Sequence, residues 1–196
     1  MSGRPPTIRE EVLLDAARDV FRELGHAATT AEVARRARVS EGILFYRYKT
    51  KEALLAAVIR RETQPPEALR RVAEDAGRHT LARNLKLIVE AVLDAVVRVH
   101  PLMELVETSP TSLEIRRVLT SGRPPPEEVV ELITGYLEGE MRLGRVRRID
   151  AVPVARAVMG GCIDFVRSQH LAGVAGDRRA FVRGLVDLLH RGTTND

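Results

Sequence analysis

The stretch TTAEVARRARVSEGILFYRYKTKEAL, residues 29–54, decides the fold predicted for this chain. Thr29 and Glu32 form the Thr-x-x-Glu pattern that caps the start of a helix, and the helix that follows lasts about two turns. After a tight break, Ser40 caps a second short helix, EGILFYR, and Thr50 caps a third. Two short helices joined by a tight turn predict a helix-turn-helix unit.

The remaining sequence predicts an all-α fold with two domains. Apolar residues recur at spacings of three and four almost throughout, and no segment alternates strictly between apolar and polar residues. Pro65 and Pro66 interrupt the helical pattern and mark the change of domain. We therefore expect a helix-turn-helix domain over residues 6–64, with its motif at about 29–48, and a second helical domain over residues 65–196.

Caps and helix breakers set the bounds of the other predicted helices. Thr7 and Glu10 repeat the capping pattern near the start of the chain, and Gly25 is suited to end the helix that follows. The helices predicted in the second domain span residues 79–100, 111–119, 127–143, 150–170 and 177–190.

Composition places the chain among soluble globular proteins. Charged residues make up 30% and hydrophobic residues 44% of its 196 positions, which is close to the average for that class. No apolar run approaches the roughly 20 residues that cross a bilayer, and the first residues lack the apolar segment of a secretory signal. The single Cys162 can form neither an internal disulfide nor a Cys-based zinc site. We expect a cytoplasmic protein with no membrane partner and no cofactor.

The excess of positive charge lies in the opening stretch. The formal net charge is +4, and residues 29–51 alone contain six basic and two acidic residues, which accounts for all of it. A basic window of this kind favours a polyanionic partner, because a localised charge attracts one more strongly than a dispersed charge. A solvated helical surface is the alternative interpretation of the charge taken alone.

The second helix of the unit has the residue types that DNA recognition requires. Such a helix enters the major groove, with short side chains of its leading turn near the base edges and flanking groups on the phosphates. The residues expected nearest the bases are Glu41, Gly42 and Ile43. The residues expected to donate to phosphate oxygens are Tyr46, Arg47 and Lys51. Either Phe45 or Tyr48 is expected to fill the small core.

Over about residues 7–59, the sequence closely resembles the N-terminal domain of TetR/AcrR-type transcriptional regulators. The positions that carry the resemblance are Phe21, Gly25, Thr29, Val33, Ala34, Ala37, Val39, Ser40, Gly42, Leu44, Tyr48, Lys51 and Glu52. The resemblance implies helix caps at Thr29 and Ser40, and it implies the same base-contacting and phosphate-contacting residues as above.

Two residues depart from the family pattern. Arg38 stands where the family usually has a turn glycine, so its turn conformation costs roughly 1 kcal/mol relative to Gly, while its charge can supply a replacement DNA contact. Phe45 stands where the family often has Tyr, so a hydroxyl group that would bind phosphate is missing.

The C-terminal part resembles the same family in plan, with a closing pair of helices through which such proteins dimerise. Gly160 and Gly161 lie inside a predicted helix, where each costs up to about 1 kcal/mol relative to Ala, and close approach of two helices explains that cost. A crossing of helices within one chain is the alternative. The predicted interface residues are Val158, Gly161, Cys162, Val166, Phe181, Leu185 and Leu188.

These observations favour a dimeric DNA-binding regulator whose middle helices enclose a site for a small-molecule effector. By family analogy we expect a repressor that binds a palindromic double-stranded operator and is released by the effector. Adaptable and aromatic side chains in the middle helices suit an apolar pocket. The candidate effector-binding residues are Leu102, Met103, Tyr136, Met141 and Phe165, with core packing as the alternative role for each.

A small helical enzyme and a helical adaptor protein are the competing hypotheses. The five His residues lack metal-ligand spacing, and no Gly-rich phosphate loop or nucleophile motif occurs. Glu90 and Asp94 could form a catalytic carboxylate pair, but Lys86 and Arg98 lie one turn away and predict surface ion pairs instead. An adaptor would leave the localised basic window unexplained.

Overall fold

The computed structural model describes residues 9–121, 125–172 and 176–194, and every regular element that they form is helical, which confirms the all-α prediction. The α-helices are α1 (Glu10–Leu24), α2 (Thr30–Ala37), α3 (Glu41–Tyr48), α4 (Lys51–Glu62), α5 (Glu67–Glu74), α6 (Leu81–Glu107), α7 (Ser112–Thr120), α8 (Pro125–Arg142), α9 (Ala151–Ala172) and α10 (Arg178–Thr193). A 3-10 turn, Gly25–Ala27, follows α1.

The start of α1 differs from its predicted cap. Arg9 occupies the N-cap position without a side-chain hydrogen bond, and the predicted capping residue Thr7 lies outside the described residues. The predicted end is confirmed, because Gly25 closes the helix with a φ of +55°, a left-handed value that glycine adopts at little cost.

One compact unit, here called the first unit, consists of residues 9–62 and 101–121. In it α1 packs against both α2 and α4. The side chains that fill its core are apolar and fully buried, among them Leu13, Phe21, Val33, Leu44 and Ile59.

Residues 101–121 belong to this first unit, although the predicted boundary after residue 64 assigned them to the second domain. Leu102 and Leu119 are buried in the same core as α1. The guanidinium of Arg60 donates to the carbonyl and the hydroxyl of Ser121 at 2.9 and 2.8 Å, which ties α4 to the end of α7. The predicted boundary differs from the packing in this segment, and as a division of function it stays a prediction.

The prediction that α6 ends at His100 is wrong, because the helix continues through Pro101 to Glu107. A proline inside a helix removes one backbone hydrogen bond and costs about 3 kcal/mol. Leu102 and Val106 lie just beyond it and are both completely buried. Burial of two such side chains recovers roughly 3–6 kcal/mol, which is enough to keep this turn helical.

The other compact unit, here called the second unit, comprises residues 63–100, 125–172 and 176–194. Within it α8 packs against α5 and α9, and α9 against α10. Leu85, Ile88, Ile133, Leu137 and Val158 are among its buried core residues. No helix in the described part of the chain has both the length and the apolar character needed to cross a membrane.

Candidate nucleic-acid interface

The caps of α2 and α4 form as the sequence predicts. The Thr29 hydroxyl accepts the backbone N–H of Glu32 at 3.2 Å, and the Thr50 hydroxyl accepts that of Ala53 at 3.0 Å. Ser40 also occupies the N-cap position of α3 in an extended conformation, but its hydroxyl makes no capping hydrogen bond. The backbone rather than this side chain therefore defines the start of α3.

Arg38 makes the turn between α2 and α3. Its backbone is left-handed, with φ 56° and ψ 43°, and its N–H donates to the carbonyls of Ala34 and Arg35. This conformation closes α2 in the way that a glycine usually does, at a cost of roughly 1 kcal/mol for a residue with a Cβ. The exposed Arg38 side chain therefore lies directly before α3.

Leu44 and Tyr48 attach α3 to the rest of the first unit. Leu44 is buried, and the half-buried Tyr48 donates its hydroxyl hydrogen to Glu10 Oε1 at 3.0 Å. Burial, together with the carboxylate of Glu10, raises the pKa of Tyr48 to about 12. Of the two aromatic residues expected to fill the core, Tyr48 does so, whereas Phe45 is 65% exposed.

The opposite face of α3 presents the predicted DNA-contacting side chains to solvent. Tyr46 is 79% exposed, Arg47, Glu41 and Gly42 are exposed, and Ile43 is half-buried. The structure therefore brings the residues predicted for bases and for phosphates onto one accessible helix surface. Contact of any of them with DNA stays a prediction.

The basic window carries less available charge than the sequence suggests. Arg35 binds the carboxylate of Glu32 at 3.0 and 2.5 Å, and Arg36 binds that of Glu23 at 2.5 and 2.7 Å. The hydrogen bond from Arg36 lowers the pKa of Glu23 from its usual value. Arg35 and Arg36 are thus neutralised within the chain, and the cations placed beside α3 are Arg38, Arg47, Lys49 and Lys51.

Lys51 is held in place by the 3-10 turn. Its ammonium donates to the backbone carbonyl of His26 at 2.7 Å, and His26 Nε2 lies 2.8 Å from Thr108 Oγ1. This bond uses one of the three protons of the ammonium, so the group can still donate to a phosphate. Lys51 is therefore oriented before any partner binds.

Sequence reasoning missed three residues beside α3. Phe45 and Lys49 line a surface depression of about 350 Å³, together with Thr30 at the start of α2. The Lys49 ammonium lies 5.6 Å from the centroid of the Phe45 ring and 5.1 Å from that of Tyr46. The spacing of four residues between Glu41, Phe45 and Lys49 was the available signal, because it places them on one flank of a helix.

The residues predicted to bind an effector are divided between the cores of the two units. Leu102 is buried in the core of the first unit, and Met103 packs against that core. Tyr136, Met141 and Phe165 belong to the core of the second unit, where Phe165 stacks on Phe181 with ring centroids 4.2 Å apart. Core packing is the alternative role that the sequence allows for each of them, and an effector site that uses them stays a prediction.

Tyr136 instead belongs to a buried polar cluster in the second unit. Asn84, Tyr136 and Glu140 are all fully buried, and neither the Asn84 amide nor the Tyr136 hydroxyl has a hydrogen-bond partner of good geometry. Glu140 accepts the N–H of Gly77 at 3.1 Å, and its other oxygen lies 3.0 Å from Arg145 Nε. Burial raises the pKa of Tyr136 above its usual value, so the phenol stays protonated.

Three of the predicted interface residues are core residues of this chain. Val158, Cys162 and Val166 are at most 3% exposed, and Cys162 Sγ lies 3.9 Å from the carbonyl oxygen of Val89. Burial raises the pKa of the Cys162 thiol to about 12. Their apolar stripe packs inside the second unit, so the predicted interface is wrong for these three residues.

The outer face of α9 and α10 carries a different set of residues. Ile163 is 44% exposed and Leu188 is 68% exposed. Gly160 and Gly184 are exposed glycines, and a Cβ added to either would have no neighbouring atom within 4 Å. A Cβ on Gly161 would instead lie 3.8 Å from Leu185 Cδ2, so Gly161 serves packing between α9 and α10.

The carboxylates considered for catalysis form ion pairs. Glu90 Oε1 lies 3.7 Å from Lys86 Nζ, as the sequence predicts, and Asp94 Oδ1 lies 2.5 Å from Arg178 Nη2. Among the described residues, no cluster of three or more His, Cys, Asp or Glu side chains is arranged to hold a metal ion.

The arrangement of α2 and α3 on α1 defines a helix-turn-helix DNA-binding domain. A profile of the family described as "Bacterial regulatory proteins, tetR family" matches residues 13–58. Residues 13–58 are therefore similar to the DNA-binding domain of TetR-family regulators.

Curated relatives match mainly in this region. The HTH-type transcriptional regulator BetI of Klebsiella pneumoniae (strain 342) is 48% identical over 54 residues, which is 27% of this chain and 28% of that protein. The HTH-type transcriptional repressor Rv3405c of Mycobacterium tuberculosis (strain ATCC 25618 / H37Rv) is 34% identical over 116 residues, or 56% of this chain and 60% of that protein. The matches thus span about a quarter to three fifths of the length of these relatives.

Solved structures resemble the whole chain. A TetR-like transcriptional regulator from Rhodococcus sp. RHA1 is 27% identical with a TM-score of 0.59, and the match covers 97% of this chain and 98% of that one. FadR from Bacillus subtilis, solved in complex with stearoyl-CoA, is 20% identical with a TM-score of 0.70, over 94% of this chain and 99% of that one. The second likeness shows a common fold.

Proposed function

We propose that this protein is a dimeric transcriptional repressor that binds a palindromic DNA operator and is released by a small-molecule effector. The observation that carries the proposal is the exposed face of α3, where Tyr46 and Arg47 stand opposite the anchoring residues Leu44 and Tyr48. Hydrogen-bond donors on an exposed second helix of this motif are suited to phosphates on both sides of a major groove.

Four cations beside α3 set the expected salt dependence. Arg38, Arg47, Lys49 and Lys51 lie beside α3 and can each displace a counterion from DNA. Arg35 and Arg36 form ion pairs with carboxylates of the same chain. Each phosphate contact contributes about −0.9 to the slope of log K against log salt concentration. A dimer with up to four such contacts in each protomer is expected to show a slope no steeper than about −7.

The test is a salt titration of binding to DNA selected from a random duplex library. Arg47→Ala and Lys51→Ala are expected to weaken binding to all sequences equally and to make the slope shallower by about 1 for each phosphate that the variant no longer binds. Changes at Glu41 or Ile43 are expected to alter sequence preference instead. A matched control is Arg35→Ala, which removes a cation already paired with Glu32 and should leave the slope unchanged. Binding that is unchanged in both Arg47→Ala and Lys51→Ala would reject this placement of α3.

The exposed face of α9 and α10 supports the dimer. Ile163 and Leu188 are large apolar side chains left in water, and the adjacent Gly160 and Gly184 permit close approach of a second pair of helices. Two copies that join through this face form a four-helix bundle with a two-fold axis. A two-fold axis in turn requires a palindromic operator, because each half-site meets the same side chains.

The effector is proposed to act through the second unit. An effector can act only if it binds the DNA-competent and DNA-incompetent states with different affinities. Operator DNA must then lower the affinity for the effector by the same factor by which the effector lowers the affinity for DNA. Stearoyl-CoA, the ligand of FadR from Bacillus subtilis, is the first compound to try, since that protein has this fold. Calorimetric titrations of an identified effector with and without operator test this coupling, and equal affinities in the two titrations would reject it.

A further inference from the structure

The flank of α3 beside the start of α2 forms a small site, here called the aromatic flank. It consists of Glu41 and Phe45 on successive turns of α3, Lys49 at the C-cap of that helix, and Thr30 at the start of α2, which all line the depression of about 350 Å³. The function proposed above uses Glu41 for sequence preference and Lys49 for a phosphate contact, but it assigns no contact to the exposed ring of Phe45.

Phe45 is a large apolar residue on the protein surface. Its ring is 65% exposed, while Leu44 beside it is 1% exposed and holds the helix on the core. A phenyl ring left in water forfeits burial energy, so an exposed Phe on a recognition surface is suited to a partner that covers it. The ring has no hydrogen-bonding atom, and its contact with a partner must therefore be apolar.

The neighbours of the ring determine which part of DNA it meets. The Glu41 carboxylate, one turn earlier, accepts the Thr30 hydroxyl at 2.7 Å and is therefore fixed on this flank. A fixed negative charge repels phosphate, so this part of the flank is suited to base edges. The Lys49 ammonium lies 5.6 Å from the centroid of the Phe45 ring. Its positive charge attracts the DNA phosphates at the other end of the flank.

The apolar group that base edges present in the major groove is the 5-methyl group of thymine. We propose that Phe45 reads thymine by packing against this methyl group, at one position in each half-site. The proposal rests on the function proposed above and extends it by naming a residue that determines sequence preference and the chemical group that it recognises.

The test uses the full-length protein and a duplex selected from a random library. Each thymine of the selected site is replaced in turn by deoxyuridine, which removes only the methyl group. Replacement of the thymine that Phe45 reads is expected to weaken binding about 4-fold in one half-site and about 15-fold in both, from the burial of one methyl group each. A 5-methylcytosine–guanine pair at the same position is expected to bind more tightly than unmethylated cytosine–guanine.

Two variants assign the effect to Phe45. Phe45→Ala is expected to remove the preference for thymine over deoxyuridine, and because the side chain is largely exposed the far-UV spectrum should not change. Tyr46→Phe is the matched control on the next residue, and it should retain the full methyl dependence while it loses a phosphate donor.

The outcomes separate this inference from the function on which it rests. A selected site whose thymines can all be replaced by deoxyuridine with less than about 1.5-fold loss overturns the methyl contact and leaves DNA binding intact, since burial of one methyl predicts about 4-fold. Methyl dependence that persists in Phe45→Ala overturns the assignment to this residue. Failure of the wild-type protein to enrich any duplex would reject DNA recognition and this inference with it.

Discussion

The two compact units treat their interior polar groups differently. The first unit buries Glu62, but Arg18 and Arg61 lie 3.6 and 3.0 Å from that carboxylate and balance its charge. The second unit buries the Asn84 amide and the Tyr136 hydroxyl without hydrogen-bond partners of good geometry, at a cost of about 1–3 kcal/mol for each such group. Each unit balances its buried carboxylate, since Glu140 of the second unit lies 3.0 Å from Arg145. Among the described residues, only the second unit adds buried neutral groups, on Asn84 and Tyr136, whose hydrogen-bond geometry is poor.

The largest expected effect tests whether residues 101–121 stabilise the DNA-reading helices. Leu102→Ala removes a completely buried side chain from the core that contains α1–α4, and such changes cost about 2–5 kcal/mol. We expect faster hydrogen exchange across α1–α4 and weaker DNA binding, although Leu102 lies more than fifty positions after α3. Urea denaturation combined with hydrogen exchange measures both effects.

Val97→Ala is the control for that change, because Val97 lies on the same helix but is 49% exposed. It should alter stability by less than about 0.5 kcal/mol. Unchanged exchange in α1–α4 of Leu102→Ala would show that the segment after Pro101 is not part of the first unit in solution.

Sequence reasoning succeeded where the determinants are local. The caps at Thr29 and Thr50 and the turn at Arg38 each depend on residues within a few positions. It failed at Pro101, because only tertiary burial of Leu102 and Val106 keeps α6 helical there.

Sequence reasoning also failed on α9. The apolar periodicity located a stripe of residues there, but it does not show which element packs against that stripe. Val158, Cys162 and Val166 pack inside the chain. The sequence identified Gly160 as a position of close helix approach, but it did not identify the exposed Ile163 beside it. The charge count failed similarly, since the partner of Arg36 is Glu23, thirteen residues away on another helix.

The next prediction tests the dimer proposed for the second unit. Gly160→Glu places a charged side chain on the outer face of α9, where a Cβ meets no atom of the same chain. We expect monomers in sedimentation velocity and loss of the roughly 100-fold or greater gain in DNA affinity that two linked reading units provide. Gly135→Glu is the control, because it makes the same change at a glycine of α8 with equally open surroundings. If both variants remain dimers, the interface lies on another face.

Two left-handed residues of the first unit should be stabilised by glycine. Arg38 has φ 56° with ψ 43°, and Lys49 has φ 55° with ψ −42°. Each change to glycine should raise the free energy of unfolding by about 1 kcal/mol, and Lys49→Gly should gain at least as much, because its ψ lies outside the usual left-handed region. Both variants should bind DNA more weakly because each loses a cation. Thermal and urea unfolding measure the gain, and destabilisation by either change would contradict it.

Two hydroxyl deletions sharpen the comparison between the units. Tyr48→Phe in the first unit breaks the bond to Glu10 and should cost about 0.5–1.5 kcal/mol. Tyr136→Phe in the second unit removes a buried hydroxyl without a well-formed hydrogen bond and should be neutral or stabilising by up to about 1 kcal/mol. Urea unfolding measures both, and changes of the same sign in the two variants would remove the contrast drawn between the two interiors.

The last prediction is a pH dependence of stability. The pKa of Tyr48 is raised from 10.0 to about 12 in the folded protein, so between these values the unfolded chain releases a proton that the folded chain retains. The contribution is fully present below pH 10.0 and is lost as pH rises toward 12. Tyr48→Phe should therefore show a shallower loss of stability in this range, measured by urea unfolding at each pH. Equal slopes would exclude a native-state role for its bond to Glu10.

The pairing of Arg35 and Arg36 with carboxylates also affects how quickly the protein can find its operator. Cations that face the DNA backbone hold a protein on any sequence, and a genome offers about 10⁶–10⁹ such competing positions. Glu23 and Glu32 withdraw two cations of each protomer from that competition. For the operator-binding dimer proposed above, this pairing is expected to shorten residence on non-operator DNA, so that fewer copies of the protein keep one operator occupied.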